Sequence, residues 1–334
     1  MKLEPAIQGY LAYRANGWSA STVRGDKKVL AKLLRHTGNV QLASITPEVM
    51  DELLRSKPMS GGSPATYNLY LSGLRNFFKF CRQRKHAPID YDPLVGQRPK
   101  PNPEKPKFRI TMDQFPALLD AAGNERNRMA IAIGLYLMVR ESEARSIRLG
   151  DVDLNEGTIA VWVHKTNGYD EMPISAELDA ELRRYLVWYT QHHGPLKDDW
   201  FLLPQRKFTN RFQVYELAPS RGLQQGGLSR VVQQAVGALG HPTAGVGMHT
   251  LRRSAAAALF QEKTRQGYDG ALRQVSAWLH HKSQRTSEIY IGIDIDRNTR
   301  NEETKSQSLY PSLNDDKVIN LGDKHDGSNS NQAV

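Results

Sequence analysis

A single cysteine in 334 residues, Cys81, leaves no disulfide framework to build. Its place in an apolar helical stripe reads as a small buried hydrophobe. No apolar run approaches membrane-spanning length, and the opening stretch MKLEPAIQGYLAYRANGW carries no signal core. Internal repeats are missing, and so are carboxylate or His/Cys groupings at metal-ligand spacing, apart from the poor pair His280-His281. These absences exclude disulfide scaffolds, membrane spans and solenoids. The expectation is a soluble cytoplasmic protein with no metal and no cofactor. At this length two domains are expected rather than one.

What is present is positive charge, unevenly placed. The formal net charge is +10. Residues 1–107 hold 18 Lys and Arg against 8 Asp and Glu, whereas the rest of the chain holds 27 of each. A basic segment joined to a balanced one suits a grip on a polyanion followed by a different module, since a solubility charge would be spread more evenly.

Hydrophobic periodicity and caps predict helices over about residues 4–15, 21–36, 46–56 and 63–83. The last two open with Thr46-Pro47 and Ser63-Pro64, a capping residue followed by proline at the first helical position. In the last, Tyr67, Tyr70, Leu71, Leu74, Phe77, Phe78 and Cys81 form a core stripe, with Arg75, Lys79 and Arg82 on the other face. The stretch GQRPKPNPEKPKF, residues 96–108, interleaves proline with Lys100, Lys105 and Lys107 and reads as a semi-rigid linker whose charges lie along phosphates. The domain division is therefore 1–95, linker 96–108, a second domain over 109–310, and a polar 311–334 tail expected to be disordered.

Past the linker, Thr111 is placed to cap a short helix, and RMAIAIGLYLMV reads as a buried helix delivering Arg140 at its end. A second short helix is expected from about Ser142. GTIAVWVHKTNGYDEMPI alternates and turns at Asn167-Gly168, a hairpin signal. Further helices are expected near 175–192, 228–237, 249–262 and 270–280. The fold class is mainly α with a small β-hairpin or sheet in the second domain (α+β), the two domains together forming a clamp.

HTLRRSAAAALF, residues 249–260, sets His249, Arg252 and Arg253 on one helical side and Leu251, Ala255 and Ala258 on the other. Such a cationic cluster is either a solvated face or a seat for an anion, because guanidinium forks match phosphate. Four more motifs share its order: VRESEARSIRL around Arg140, VHKTNG around Lys165, WLHHKSQRTSEIY holding His281, and Tyr290 nine residues beyond that histidine. Taken singly each is ordinary. A hairpin lysine is normally exposed, and a lone tyrosine is normally part of a core.

Taken jointly they resemble the tyrosine recombinase (phage integrase) family. That family shows Arg-x-x-Glu after a buried helix, a hairpin lysine, His-x-x-Arg, then Leu-Gly-His and a tyrosine nine residues on. Arg140 and Glu143 match the first motif, Lys165 the second, His249 and Arg252 the third, and His281, Thr286 and Tyr290 the last. The likeness is close over about 109–300. In the first domain it rests on helix count, charge and position, and implies a four-helix DNA-binding domain in the compact form without an arm-binding domain. Two departures stand out: His280 replaces the glycine of Leu-Gly-His, and EKTRQGYDG looks like an insertion.

The resemblance implies that Tyr290 attacks the scissile phosphate to give a 3′-phosphotyrosine and a free 5′-hydroxyl. Arg140 and Arg252 would clamp the non-bridging oxygens, and Lys165 would protonate the departing oxygen. His249 would either accept the tyrosine proton or hold a phosphate oxygen, and His281 would hydrogen-bond the phosphate. Glu143 is expected to brace the arginine turn by an ion pair. Arg145, Arg148, Arg253, Lys282 and Arg285 are read as backbone contacts or solvated charge.

The implied partners are double-stranded attachment sites, a homotetramer on synapsed DNA and an accessory directionality or bending factor. Residues 295–310 would dock on a neighbouring protomer. Integration or excision of a phage or mobile element in a bacterial host cytoplasm is implied likewise. Two other readings share many of these features: a DNA-binding regulator with an inactive recombinase fold, and a type IB topoisomerase-like enzyme.

Overall fold

The computed structural model describes residues 1–102, 107–163, 167–208, 215–281 and 283–292. The chain divides into two compact units, Met1–Lys105 and Pro106–Val334.

The first unit is helical: α1 (Leu3–Ala15), α2 (Ala20–Thr37), α3 (Pro47–Arg55), the single turn α4 (Lys57–Ser60) and α5 (Pro64–Gln83). Ser63 caps α5 as expected, its hydroxyl accepting from the Thr66 amide at 3.2 Å. Thr46 does not cap α3; its hydroxyl bonds the exposed Glu48 carboxylate instead and lowers its pKa. The expected α5 stripe is the core, with Leu71, Leu74, Phe77, Phe78 and Cys81 at 1 % exposure or less. Tyr70 is only half-buried, with the Lys32 ammonium 4.5 Å from its ring centre. α2 comes so close to α5 that a Cβ at Gly73 would lie 2.9 Å from Val29. One ion pair is buried here: Arg14 Nε lies 2.9 Å from Asp26 Oδ2, which also accepts from the Tyr10 hydroxyl at 3.2 Å. The start of the expected linker belongs to this unit. Asn68 exchanges two hydrogen bonds with the Lys100 backbone, and Arg75 donates to the Gln97 carbonyl at 2.5 Å.

The second unit begins with α6 (Phe115–Asp120) and α7 (Glu125–Ala132). The apolar stretch leading to Arg140 is not one regular helix. α7 passes into a π-helical turn over Ile133–Leu137 that ends on Met138 at φ +53°. Gly134 lies within this turn, and a Cβ there would sit 2.6 Å from Leu251, so the glycine admits a neighbouring helix at close range. α8 (Glu141–Ala144) follows, then β1 (Val152–Asp153), β2 (Thr158–Val163) and β3 (Gly168–Pro173), an antiparallel sheet in that order. β2 buries alternate residues, Ile159, Val161 and Val163, as its sequence alternation requires. Asn167 takes φ +54° at the turn preceding β3.

α9 (Ala176–His193) carries Tyr185, whose hydroxyl donates to the Leu202 carbonyl at 2.8 Å. An unexpected second hairpin follows, β4 (Pro204–Phe208) paired with β5 (Tyr215–Gly222). Pro219 inside β5 argues against a strand in a reading from sequence. The unit continues with α10 (Gly227–Ala238), α11 (Met248–Arg265), α12 (Ala271–Trp278) and α13 (Gln284–Ile291). Its core gathers the π turn, the inner faces of α9, α10 and α11, and the buried side of β2. The fold class is as expected, mainly helical with small antiparallel sheets. Among the described residues no helix is long and apolar enough to cross a membrane. Lys105, Lys165, Lys282 and everything after residue 292, including the 295–310 segment and the 311–334 tail, lie outside the described residues.

Candidate active site

Four segments of the second unit meet around a buried carboxylate. Arg140 is the N-cap of α8, and Glu143 one turn later returns to it. The Glu143 oxygens accept from the Arg140 amide at 2.8 Å and from Arg140 Nη1 at 2.7 Å. Glu143 is wholly buried, so its charge must be paired. The neighbouring Glu141 turns outward to α10, accepting from the Gly226 amide at 2.6 Å and the Ser229 hydroxyl at 2.8 Å. A carboxylate at a helix N-terminus is favourably placed, and this one fixes the α8 turn from the other side.

Arg252 arrives from α11 and is not on a solvated face. Only 1 % exposed, it is the largest fully buried side chain among the described residues. Nη2 donates to the Leu279 carbonyl at 2.5 Å, Nη1 donates to the Met138 carbonyl, and Glu143 Oε2 lies 3.9 Å from Nη1. One guanidinium thus ties the end of the π turn, the α8 carboxylate and the end of α12. Burial lowers its pKa, Arg140 adds to that, and Tyr290 and Glu143 act the other way.

His249 opens the same helix on its exposed side. Its pKa is depressed, first by partial burial and then by Arg252, Arg140 and Arg253. At neutral pH this histidine is a neutral base.

α12 ends at Leu279, and His280 follows at φ +50°, the left-handed region where glycine would be strain-free. Its Nδ1 lies 3.4 Å from Asp170 Oδ2 on β3, and Nε2 is buried without a hydrogen bond among the described residues. Burial lowers its pKa, against a smaller raising effect of Asp170. His281 is the histidine that turns toward the tyrosine helix. Its Nδ1 lies 2.9 Å from the Ser287 hydroxyl, and its ring is edge-on to the Tyr290 ring with centroids 5.3 Å apart.

Tyr290 rides on α13. Its hydroxyl donates to the His249 carbonyl at 3.4 Å and shares a hydrogen bond with Arg252. Burial raises its pKa, while Arg252, Arg253 and Arg140 pull the other way. The arrangement is a protonated phenol under the field of three arginines, with the His249 backbone carbonyl as its acceptor. It suits a nucleophile held next to donors for an anionic group.

The structure thus brings together Arg140, Glu143, His249, Arg252, His281 and Tyr290. Lys165 lies outside the described residues, and Thr286 is exposed on α13. Two readings need revision. Arg253 is half-buried beside Tyr290 rather than solvated. Arg145 is half-buried and donates to the Leu223 carbonyl at 2.9 Å, whereas Arg148 is exposed, with its guanidinium 4.6 Å from the Phe201 ring centre. Glu141, Ser276 and Ser287 went unnoticed in sequence because isolated Glu and Ser residues carry no spacing signal.

In the first unit Arg75, Lys79 and Lys100 are exposed. Lys100 Nζ also lies 4.2 Å from the Tyr67 ring centre. Arg82 is half-buried, donating to the Tyr91 carbonyl at 2.8 Å with Asp92 3.9 Å away. Lys107, at the start of the second unit, is exposed. Among the described residues no group of His, Cys, Asp and Glu could hold a metal ion.

Comparison with known proteins shows which family and fold this chain is similar to. Tyrosine recombinase XerC of Thermodesulfovibrio yellowstonii is 25 % identical over 288 residues, spanning 84 % of this chain and 88 % of its own. XerC of Lactobacillus delbrueckii subsp. bulgaricus is 27 % identical over 237 residues, 69 % of this chain and 73 % of its own. In fold, a lambda integrase dimer bound to a COC′ core site superposes with a TM-score of 0.65 at 17 % identity, covering 87 % of this chain and 77 % of that one. XerH recombinase bound to a palindromic difH substrate gives 0.64 at 21 %, covering 88 % and 83 %. The model of the phage integrase family matches residues 109–296, more than half of the chain. The chain therefore belongs to the phage integrase family, the tyrosine recombinases that cleave and rejoin DNA strands.

Proposed function

We propose that this protein is a site-specific DNA recombinase whose nucleophile is Tyr290. The observation that carries the assignment is the Tyr290 hydroxyl itself, hydrogen-bonded with Arg252, 3.4 Å from the His249 carbonyl, and under the field of three arginines. The tyrosine oxygen attacks the scissile phosphorus, the phosphorus to 5′-oxygen bond breaks, and a 3′-phosphotyrosine preserves the ester for rejoining. No nucleotide cofactor is needed, because one phosphodiester replaces another.

Each residue then has a physical task. Arg140 and Arg252 face the non-bridging oxygens as their charge grows. A cation about 4 Å from an anion gains about 4 kcal/mol at an effective dielectric of about 20. Among the described residues Arg252 donates to the Met138 and Leu279 carbonyls and shares a hydrogen bond with Tyr290, which leaves some of its five N–H donors for a phosphate. Since the Tyr290 pKa is raised, its proton must be taken at neutral pH, and the neutral His249 is suited to take it. His281 holds a phosphate oxygen, and Glu143 keeps Arg140 in place. The hairpin residue Lys165 protonates the departing 5′-oxygen.

The first unit, with Arg75, Lys79, Arg82 and Lys100, and the connecting Lys105 and Lys107 grip the duplex phosphates. Two duplexes are exchanged by a homotetramer, with residues 295–310 docking on the neighbouring protomer and an accessory factor setting direction. The DNA substrates are attachment sites of a phage or other mobile element. XerH and lambda integrase were captured on difH and COC′ DNA, and lambda integrase also as a tetramer on a Holliday junction, which supports DNA and oligomeric partners here.

The test is a nicked duplex from the DNA flanking the gene, incubated in chelator and quenched with detergent. A protein–DNA adduct that vanishes in Tyr290→Phe, with binding retained, is expected. Tight binding without adduct would favour a DNA-binding regulator instead.

A further inference from the structure

Behind His281 lie two serines that the mechanism above does not use. The Ser276 hydroxyl donates to Ser287 Oγ at 2.7 Å, and Ser287 Oγ lies 2.9 Å from His281 Nδ1. Ser287 is 0 % exposed and Ser276 only 7 %. The backbone closes the same loop, the His281 amide donating to the Ser276 carbonyl at 2.9 Å.

We propose that Ser276 and Ser287 form a buried hydroxyl relay that holds His281 in the Nε2–H tautomer, making it a hydrogen-bond donor to the scissile phosphate. The inference rests on the Tyr290 reading for the identity of the acceptor, but the tautomer follows from proton counting alone. A serine hydroxyl has one proton to give and two lone pairs to offer. Ser287 oxygen already accepts the Ser276 proton. Its own proton lies where no water reaches and must find an acceptor. His281 Nδ1 is the acceptor in reach. A neutral imidazole that accepts at Nδ1 carries its hydrogen on Nε2. The opposite tautomer would aim a second donor at Ser287 and strand the serine proton in a dry site.

This divides the labour between the two histidines. His281 becomes a donor by its partners, while His249, depressed by burial and three arginines, is the proton acceptor. Ser287 also sits three residues before Tyr290, about one helical turn away on α13. The segment that carries the nucleophile therefore also sets the tautomer of the histidine, so that both are in order only when α13 is docked. Ser276 and Ser287 are positioning residues, not catalytic ones.

The test is a two-bond proton–nitrogen correlation spectrum of the full chain labelled with nitrogen-15 histidine, assigned by loss of signals in His281→Gln. The native protein should show His281 with its proton on Nε2 and an unprotonated, hydrogen-bonded Nδ1. Ser287→Ala should give a mixture of tautomers. It should also slow adduct formation on the nicked duplex about 10- to 100-fold at unchanged DNA affinity, the usual scale for removing the group that orients a histidine. Ser287→Thr, which keeps the hydroxyl, should retain the native tautomer. Ser276→Ala, a milder change for the fold, should weaken the preference. A native Nδ1–H tautomer overturns the proposal, as does a Ser287→Ala protein with native tautomer and native rate. The spectrum needs no DNA, so absence of an adduct in the native protein would count against the Tyr290 reading alone.

Discussion

The two units treat charge in opposite ways. The first holds nearly all of the net excess of the chain and exposes much of it: Arg75, Lys79 and Lys100 stand on the surface of a helical unit whose core is rich in Leu, Phe and Met. Among the described residues its one buried pair is Arg14 with Asp26. The second unit is neutral by count from residue 108 onward, yet it buries Arg252 and Glu143 together and gathers Arg140 and Arg253 around a tyrosine. On the proposed reading, net charge marks where a polyanion is gripped and desolvated charge marks where an anion is changed.

That contrast can be broken, and the largest effect is expected at Arg252. Arg252→Ala should lower single-turnover cleavage by about 10² to 10³, the scale of one lost oxyanion donor, while leaving the dissociation constant for duplex DNA nearly unaltered. Equal losses in binding and cleavage would mean that the buried arginine is only another grip.

Next come the buried pairs, which should separate stability from chemistry. Breaking one by removing a single partner costs about 3–5 kcal/mol. Asp26→Ala should lower the denaturation midpoint of the first unit but leave cleavage per folded molecule intact. Glu143→Ala should do both, since it frees Arg140.

The pH profile sharpens the assignment within the site. Because the folded pKa of His249 is depressed, the fold favours its neutral form. Its contribution to stability is present above the unfolded value of about 6.5 and is lost as pH falls through the window below it. Cleavage should fall on the same acid side, and His249→Gln should remove that limb. An acid limb unchanged in the variant would take the proton acceptor away from His249.

Surface charge should give the smallest effects. Arg75→Ala or Lys79→Ala should each reduce the slope of log affinity against log salt by about 1, with cleavage at saturating DNA unaltered. Cys81, whose pKa burial pushes up to about 12, should resist alkylation in the folded protein, and the reagent should spare cleavage.

Much of this was legible in sequence for definite reasons. Helices such as α2, α5, α9 and α10 fall within a residue or two of their expected bounds, because their caps and apolar stripes are local signals. Order and spacing singled out Arg140, Glu143, His249, Arg252, His281 and Tyr290, which the fold gathers from four segments. Four things escaped. The π turn ending at Met138 lies where α11 comes close to Gly134, a tertiary contact with no local trace. The β4–β5 hairpin has a proline in β5 and little alternation. Arg252 looked amphipathic by period, yet its carbonyl partners, Met138 and Leu279, are 114 and 27 residues away. Ser287 was invisible for the same reason, since its value lies in what it touches.

The most direct measurement is a peptide map of the detergent-trapped adduct by mass spectrometry. The nucleotide remnant, linked through its 3′-phosphate, should be found on Tyr290. A remnant on any other residue, or a 5′-phosphate linkage, would contradict the assignment of Tyr290 as the nucleophile.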